Sequence, residues 1–173
     1  DAVQMAMKLI VDPETDLILG AQAVGEEGVD KRIDVIATAM AGGMTATDLI
    51  DLELSYAPQF ASAKDPVNML GYVNENRATG ENAVQWHEVE TLTAEGWRLV
   101  DVRTDAEYTR GAIPGSELVT LDDLRENVDS FRGEKVIVTC RVGQRGHTAA
   151  SILMQHGIEV ANLDGGYLTW QMG

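Results

Sequence analysis

A chain of 173 residues can hold one large domain or two small ones, and its apolar (45%) and charged (24%) fractions are those of an ordinary soluble globular protein. A formal net charge of −15 argues against nucleic-acid backbones and anionic membranes as general partners, and a single cysteine excludes an internal disulfide framework and fits a reducing compartment. There is no run of about 18 apolar residues and no signal-peptide pattern, so a cytoplasmic protein is the expectation. The chain opens on Asp1 and enters at once on strand-like alternation, and it closes at Gly173 just after a helical turn. Both ends suggest a fragment of a longer polypeptide, although a processed N-terminus would look similar.

Residues 3–11 and 17–24 are apolar segments joined by Asp12-Pro13-Glu14-Thr15-Asp16, which predicts a β-hairpin. Gly25 and Gly28 introduce a helix with Val29, Ile33, Ile36, Ala37 and Met40 on one face, ended by Gly42-Gly43. Thr45 or Thr47 suits the cap of a short second helix carrying Leu49, Ile50 and Leu52, and residues 56–60 read as irregular. Asp65 and Pro66 fit the N-cap and first position of a helix running toward Asn76. This half buries little by itself, so Val24, Ile33, Ile36, Met40 and Leu49 are expected to leave apolar faces for a partner.

The polar stretch 77–83 lacks periodicity and reads as a linker. Beyond it, residues 87–94 are expected to be helical, 98–102 a strand, 105–110 a short helix and 121–128 another, with Asp122 as its cap. Residues 135–139 form a strand, 146–156 a helix and 158–163 the last strand. Strands alternating with helices predict a parallel sheet covered on both faces.

The richest stretch is Val136-Ile137-Val138-Thr139-Cys140-Arg141-Val142-Gly143-Gln144-Arg145-Gly146. A buried strand ends on the only cysteine, and Ala149, Ala150, Ile152, Leu153 and His156 then recur at helical spacing. Open parallel sheets place ligands at this point, beyond the carboxyl ends of their strands. Helix-terminal amides and the charges of Arg141 and Arg145 favour an anion there, and so favour the thiolate of Cys140. An isolated free cysteine is more commonly a small buried hydrophobe, but a strand-end position with two arginines and a glycine close by reverses that expectation. His87, His147 and His156 lack metal-ligand spacing and no second cysteine is present, so no metal site is expected.

The segment from Cys140 to Arg145 resembles the active-site loop of rhodaneses, sulfurtransferases that carry a persulfide on this cysteine. Asp101-Val102-Arg103 with Glu107-Tyr108 and Ile113-Pro114-Gly115, then Asp164-Gly165-Gly166-Tyr167 with Trp170, stand in the family's order. The resemblance implies a rhodanese-like α/β domain over 84–173, with a central parallel sheet flanked by helices. It makes Cys140 the catalytic nucleophile and places Arg141, Val142, Gly143, Gln144, Arg145 and Gly146 around the substrate. Asp101 and Arg103 would support the site, as a structural ion pair. Ala112 stands where the family commonly has His, and Gly146 replaces a small polar residue and is expected to loosen the helix start.

The first half is similar to the interface domain of flavin-dependent pyridine nucleotide–disulfide reductases, of the coenzyme A-disulfide and persulfide reductase type. Gly20-Ala21-Gln22, the run 49–52, Tyr56-Ala57-Pro58 and Lys64-Asp65-Pro66-Val67-Asn68-Met69 carry the likeness. It implies an α+β fragment of a dimerisation domain over 1–76 and a homodimer. Tyr56 and Tyr72 would then be contacts to the partner subunit, an anchoring role through the ring being the alternative. The flavin- and nucleotide-binding Gly-rich motifs are missing, so FAD, NAD(P)H and coenzyme A as substrate are implied only for the full-length reductase. Two other functions share the fold. Phosphatase or arsenate reductase chemistry needs one more residue between Cys and Arg than the four that separate Cys140 from Arg145. A non-catalytic regulatory module typically lacks the nucleophile.

Overall fold

The computed structural model describes residues 3–59 and 62–173, and the chain divides into two units, Asp1–Gly80 and Glu81–Gly173. In the first unit, β1 (Met5–Val11) and β2 (Ile18–Gly25) pair antiparallel as the expected hairpin. Helix α1 (Val29–Ala41) follows, with Gly42 at its C-cap. Its buried side centres on Ile36 and Ala39; Ala37 and Met40 are exposed, so the buried face is rotated from the one expected. A 3₁₀ turn, Thr47–Asp51, replaces the expected second helix. Ala46 is its N-cap, and just before it Thr45 and Asp48 bond reciprocally: the Thr45 hydroxyl accepts from Asp48 N–H (3.2 Å) while the Asp48 carboxylate accepts from Thr45 N–H (2.8 Å).

Helix α2 (Pro66–Ala78) begins as the Asp-Pro pair predicts, the Asp65 carboxylate accepting from Val67 N–H at 3.0 Å. Ile18, Ile36, Ala39, Ala46, Leu49 and Val67 form the unit's own core. Ile36 and Leu49 are fully buried and are not the open apolar surface expected of them, whereas Val24 stays 75% exposed. Phe60, the end of the irregular segment, lies outside the described residues.

The expected linker 77–83 is shorter, because α2 runs through Ala78 and β3 (Asn82–Val84) opens the second unit. The elements that follow are α3 (Val89–Ala94), β4 (Arg98–Asp101), α4 (Asp105–Thr109), β5 (Glu117–Leu118), α5 (Leu124–Asn127), β6 (Lys135–Thr139), α6 (Gln144–Gln155), β7 (Glu159–Leu163) and α7 (Gly166–Met172). The strands form one parallel sheet in the order β3-β7-β6-β4-β5, with β6 in the middle. Residues 121–123 form a turn rather than the start of a helix: Thr120, not Asp122, receives the Asp123 N–H (3.3 Å). The short strand β5 has no apolar alternation and is not foreseen from sequence.

The period of two along β6 sorts its side chains between the two layers. Val136, Val138 and then Cys140 join Val100, Phe131, Ala149, Ala150 and Leu153 on one face. Ile137 joins Leu99, Ile113 and Leu163, with Trp97, Tyr167 and Trp170, on the other. No helix among the described residues is long and apolar enough to cross a membrane.

Candidate active site

Cys140 follows the last residue of β6, three residues before Gly143, where the chain takes a left-handed turn (φ 101°) and enters α6. This geometry turns the Gly143 N–H onto Cys140 Sγ at 3.2 Å. The residue is 1% exposed, so its sulfur is screened from bulk water and faces a backbone donor suited to a negative charge.

The loop is held from behind. Tyr167 N–H donates to Cys140 C=O (2.7 Å) and Leu168 N–H to Arg141 C=O (3.1 Å). Such contact requires glycine at 166, where φ is +60° and a Cβ would stand 2.5 Å from Cys140 C=O. The Asp164-Gly165-Gly166-Tyr167 motif is therefore a brace for the cysteine loop. Gly143 C=O accepts from His147 N–H (2.8 Å) and from Asn162 Nδ2 (3.1 Å). Asn162 also donates to Glu81 (3.3 Å), whose other oxygen meets His147 Nδ1 at 2.6 Å. Asn162, Glu81 and the place of His147 in this network are missed by sequence reasoning, since their partners are distant in the chain and no local spacing marks them.

Gly146 acquires a reason in the same place. A Cβ there would lie 2.2 Å from Asn162 Oδ1, so the glycine makes room for the side chain that secures Gly143. It sits buried inside α6, which begins at Gln144 rather than 146. Gly146→Ala should therefore destabilise the protein by about 1–3 kcal/mol through displaced Asn162 hydrogen bonds, against a helix-propensity gain of about 1 kcal/mol. Thermal unfolding followed by tryptophan fluorescence checks the sign.

Asp101 and Arg103 form the expected ion pair. Both side chains are buried, with Arg103 Nε and Nη2 donating to the carboxylate at 2.9 and 2.7 Å. Arg103 Nη2 also donates to Gly111 C=O (2.7 Å), and its guanidinium lies 4.3 Å from the Tyr167 ring centroid. The pair thus ties the β4 end to the residue that braces Cys140.

Glu107 does not pair with Arg103, four residues before it. Its two oxygens accept from both Nη atoms of Arg145 at 2.7 Å each. Arg145 is accordingly ion-paired with Glu107, whose hydrogen bonds, with a smaller contribution from Cys140, hold its guanidinium firmly charged beside the sulfur. The Arg145 hydrogen bond, with help from the Thr104 N–H, holds the Glu107 carboxyl well below its ordinary 4.5, at about 2. A depressed carboxylate stabilises the fold fully above its unfolded value and loses that contribution as pH falls toward the folded one. Wild type and Glu107→Gln should therefore differ in stability by a constant amount, about 1 kcal/mol, above roughly pH 5. The difference should close between about pH 4.5 and pH 2, which denaturant melts across that range measure.

Arg141, Val142 and Gln144, in the loop that follows Cys140, are exposed. Tyr56 and Tyr72 lie in the first unit, where both line a cavity of about 390 Å³ and Lys64 Nζ stands 4.2 Å from the Tyr72 ring centroid.

A parallel sheet whose central strand delivers a cysteine into a loop of backbone amides, braced by a Gly-Gly-Tyr turn, defines the rhodanese-like class. The chain belongs to this family: residues 85–172 match the rhodanese-like domain. Residues 1–66 match the pyridine nucleotide-disulphide oxidoreductase dimerisation domain. The chain corresponds to the dimerisation and rhodanese portions of coenzyme A disulfide and persulfide reductases.

Among solved structures, it is 45% identical to reduced Bacillus anthracis CoADR-RHD (TM-score 0.94), covering 98% of this chain and 31% of that one. It is 34% identical to an NAD-dependent persulfide reductase from A. fulgidus (TM-score 0.83), covering 96% and 30%. Coenzyme A disulfide reductase of Staphylococcus aureus (strain bovine RF122 / ET3-1) is 46% identical over 66 residues, which is 38% of this chain and 15% of that protein. The chain thus spans less than a third of the length of these relatives.

Proposed function

We propose that residues 84–173 are a rhodanese-type sulfurtransferase domain with Cys140 as nucleophile. The Cys140 thiolate attacks the outer sulfur of a donor such as thiosulfate or a low-molecular-weight persulfide. A new S–S bond forms on Cys140, the donor's S–S bond breaks, and sulfite or a thiolate leaves with the electron pair. A thiol acceptor then attacks the outer sulfur, takes it as a new persulfide and returns Cys140 as the thiolate. The observation that carries this function is the Gly143 N–H set on Cys140 Sγ at the end of the central strand. The same donor would steady the anionic persulfide. Arg141, Val142 and Gln144 would meet the donor, while Gly143, Arg145 and Gly146 shape the loop, and Asp101 and Arg103 support it. The four residues between Cys140 and Arg145 leave a cradle that suits sulfur better than a tetrahedral oxyanion.

In the intact protein the domain would serve a coenzyme A-disulfide or persulfide reductase that acts as a homodimer through residues 1–76 in a reducing, cytoplasmic setting. FAD and NAD(P)H would be held by segments outside residues 1–173, and no residue here is assigned to them. Tyr56 and Tyr72 would face the partner subunit. The chain incubated with thiosulfate, and separately with the persulfide of 2-mercaptoethanol, should gain one sulfur atom by intact mass. No gain with either donor would refute sulfur transfer.

A further inference from the structure

The active-site loop carries two arginines, and the structure treats them differently. Glu107 is the one acidic side chain bonded to residues 141–146 among the described residues. It grips both Nη atoms of Arg145, while Thr104 holds it through the backbone N–H (3.1 Å) and the hydroxyl (3.0 Å). This carboxylate is fixed by two other residues of the site, and its charge offsets that of Arg145. Arg141 is exposed and makes no ion pair among the described residues. A compact dianion entering such a loop finds the charge of Arg145 already offset by Glu107, so more of its own charge sheds water without a full counter-charge.

We infer that Glu107 is a specificity-determining residue of the site: by engaging Arg145 it offsets one of the two loop charges, biasing the site against compact dianions and toward donors that release a singly charged leaving group. The inference rests on the sulfur-transfer function proposed above and assigns it a donor class. With thiosulfate, attack by Cys140 sends off sulfite carrying two charges. With a protonated persulfide, RS–SH, the same attack gives the Cys140 persulfide and a thiolate carrying one. The latter suits a loop in which the charge of Arg145 is already offset by Glu107.

The test is the second-order rate of Cys140 persulfidation, read by quenching and intact mass, with thiosulfate and with the persulfide of 2-mercaptoethanol. Glu107→Gln should raise the thiosulfate-to-persulfide rate ratio about tenfold, the order expected when one charge is unmasked in a cleft. Adding Arg145→Gln to that variant should return the ratio to the wild-type value. Loss of a merely structural contact would slow both donors together and leave the ratio where it was. An unchanged ratio in Glu107→Gln, with Cys140 still taking up sulfur, overturns the inference.

Arg141→Gln tests the same charge assignment with Glu107 in place. It should lower the thiosulfate rate about tenfold at low salt while leaving the persulfide rate nearly unchanged, because only the dianion depends on that cation. A thiosulfate rate unchanged in Arg141→Gln would show that Arg145 carries the donor's charge despite Glu107, and would overturn the inference even if Glu107→Gln fails to fold. A wild-type chain that takes sulfur from neither donor would instead remove the sulfur-transfer function itself, and the selecting role with it.

Discussion

Cys140→Ser is expected to abolish sulfur uptake completely while leaving the fold intact. The serine Oγ is close in size to the thiol, and it can accept the Gly143 N–H that now reaches Sγ at 3.2 Å. The backbone bonds from Tyr167 and Leu168 to the carbonyls of residues 140 and 141 do not involve the side chain, so the loop keeps its brace. What serine lacks is the chemistry: a hydroxyl is a weak nucleophile without an adjacent base and forms no stable bond to sulfane sulfur. Because Cys140 is the only cysteine, no other side chain can take the sulfur in its place. Intact mass after exposure to donor reads the loss, and unfolding curves read the fold. A serine variant that gains sulfur as the wild type does would remove Cys140 from the mechanism.

The largest loss of stability is expected from Arg103→Met. The Asp101 side chain is 0% exposed and that of Arg103 4%. Removing the guanidinium leaves a buried carboxylate without its counter-charge, which typically costs about 3–5 kcal/mol. The methionine fills similar volume, so the effect isolates the pair rather than a cavity. Gly111 C=O also loses its donor, and the Tyr167 ring loses the guanidinium stacked over it. Since Tyr167 N–H holds Cys140 C=O, sulfur-transfer rates should fall before the protein unfolds. Trp86, Trp97 and Trp170 all belong to the second unit, so tryptophan fluorescence in denaturant reports on that unit. Arg103→Lys, which keeps the charge but not the two-pronged bond, should lose less. A midpoint unchanged in Arg103→Met would mean that the pair contributes nothing to the fold.

Local chemistry made several parts of the chain legible in advance. The hairpin follows from two alternating apolar runs around Asp12-Pro13, and the start of α2 from Asp65-Pro66, whose side chain and missing N–H are what a helix N-terminus accommodates. The site's strand and loop were readable because a β-branched run, a lone cysteine and a glycine lie within a few residues of one another. The errors fall where local preference is weak. Asp122 has the right side chain for a cap, but a turn closed by Thr120 occupies 121–123 and α5 starts after Asp123 with no side-chain cap, and the buried face of α1 depends on which side the hairpin covers.

The sequence by itself determined where the lone cysteine stands, that a strand ends on it and in what order strands and helices alternate, because these depend on side-chain chemistry and short-range periodicity. Only the tertiary structure decided what surrounds that residue. Glu107 and Arg145 are far apart in the chain and meet because α4 and the cysteine loop lie near the carboxyl ends of adjacent parallel strands, β4 and β6. Asn162, on β7 at the other flank of β6, reaches Gly143 only because Gly146 has no side chain to obstruct it. Charge compensation and close contact depend on distance in space. No spacing along the chain could have shown that one of the two loop arginines is already paired.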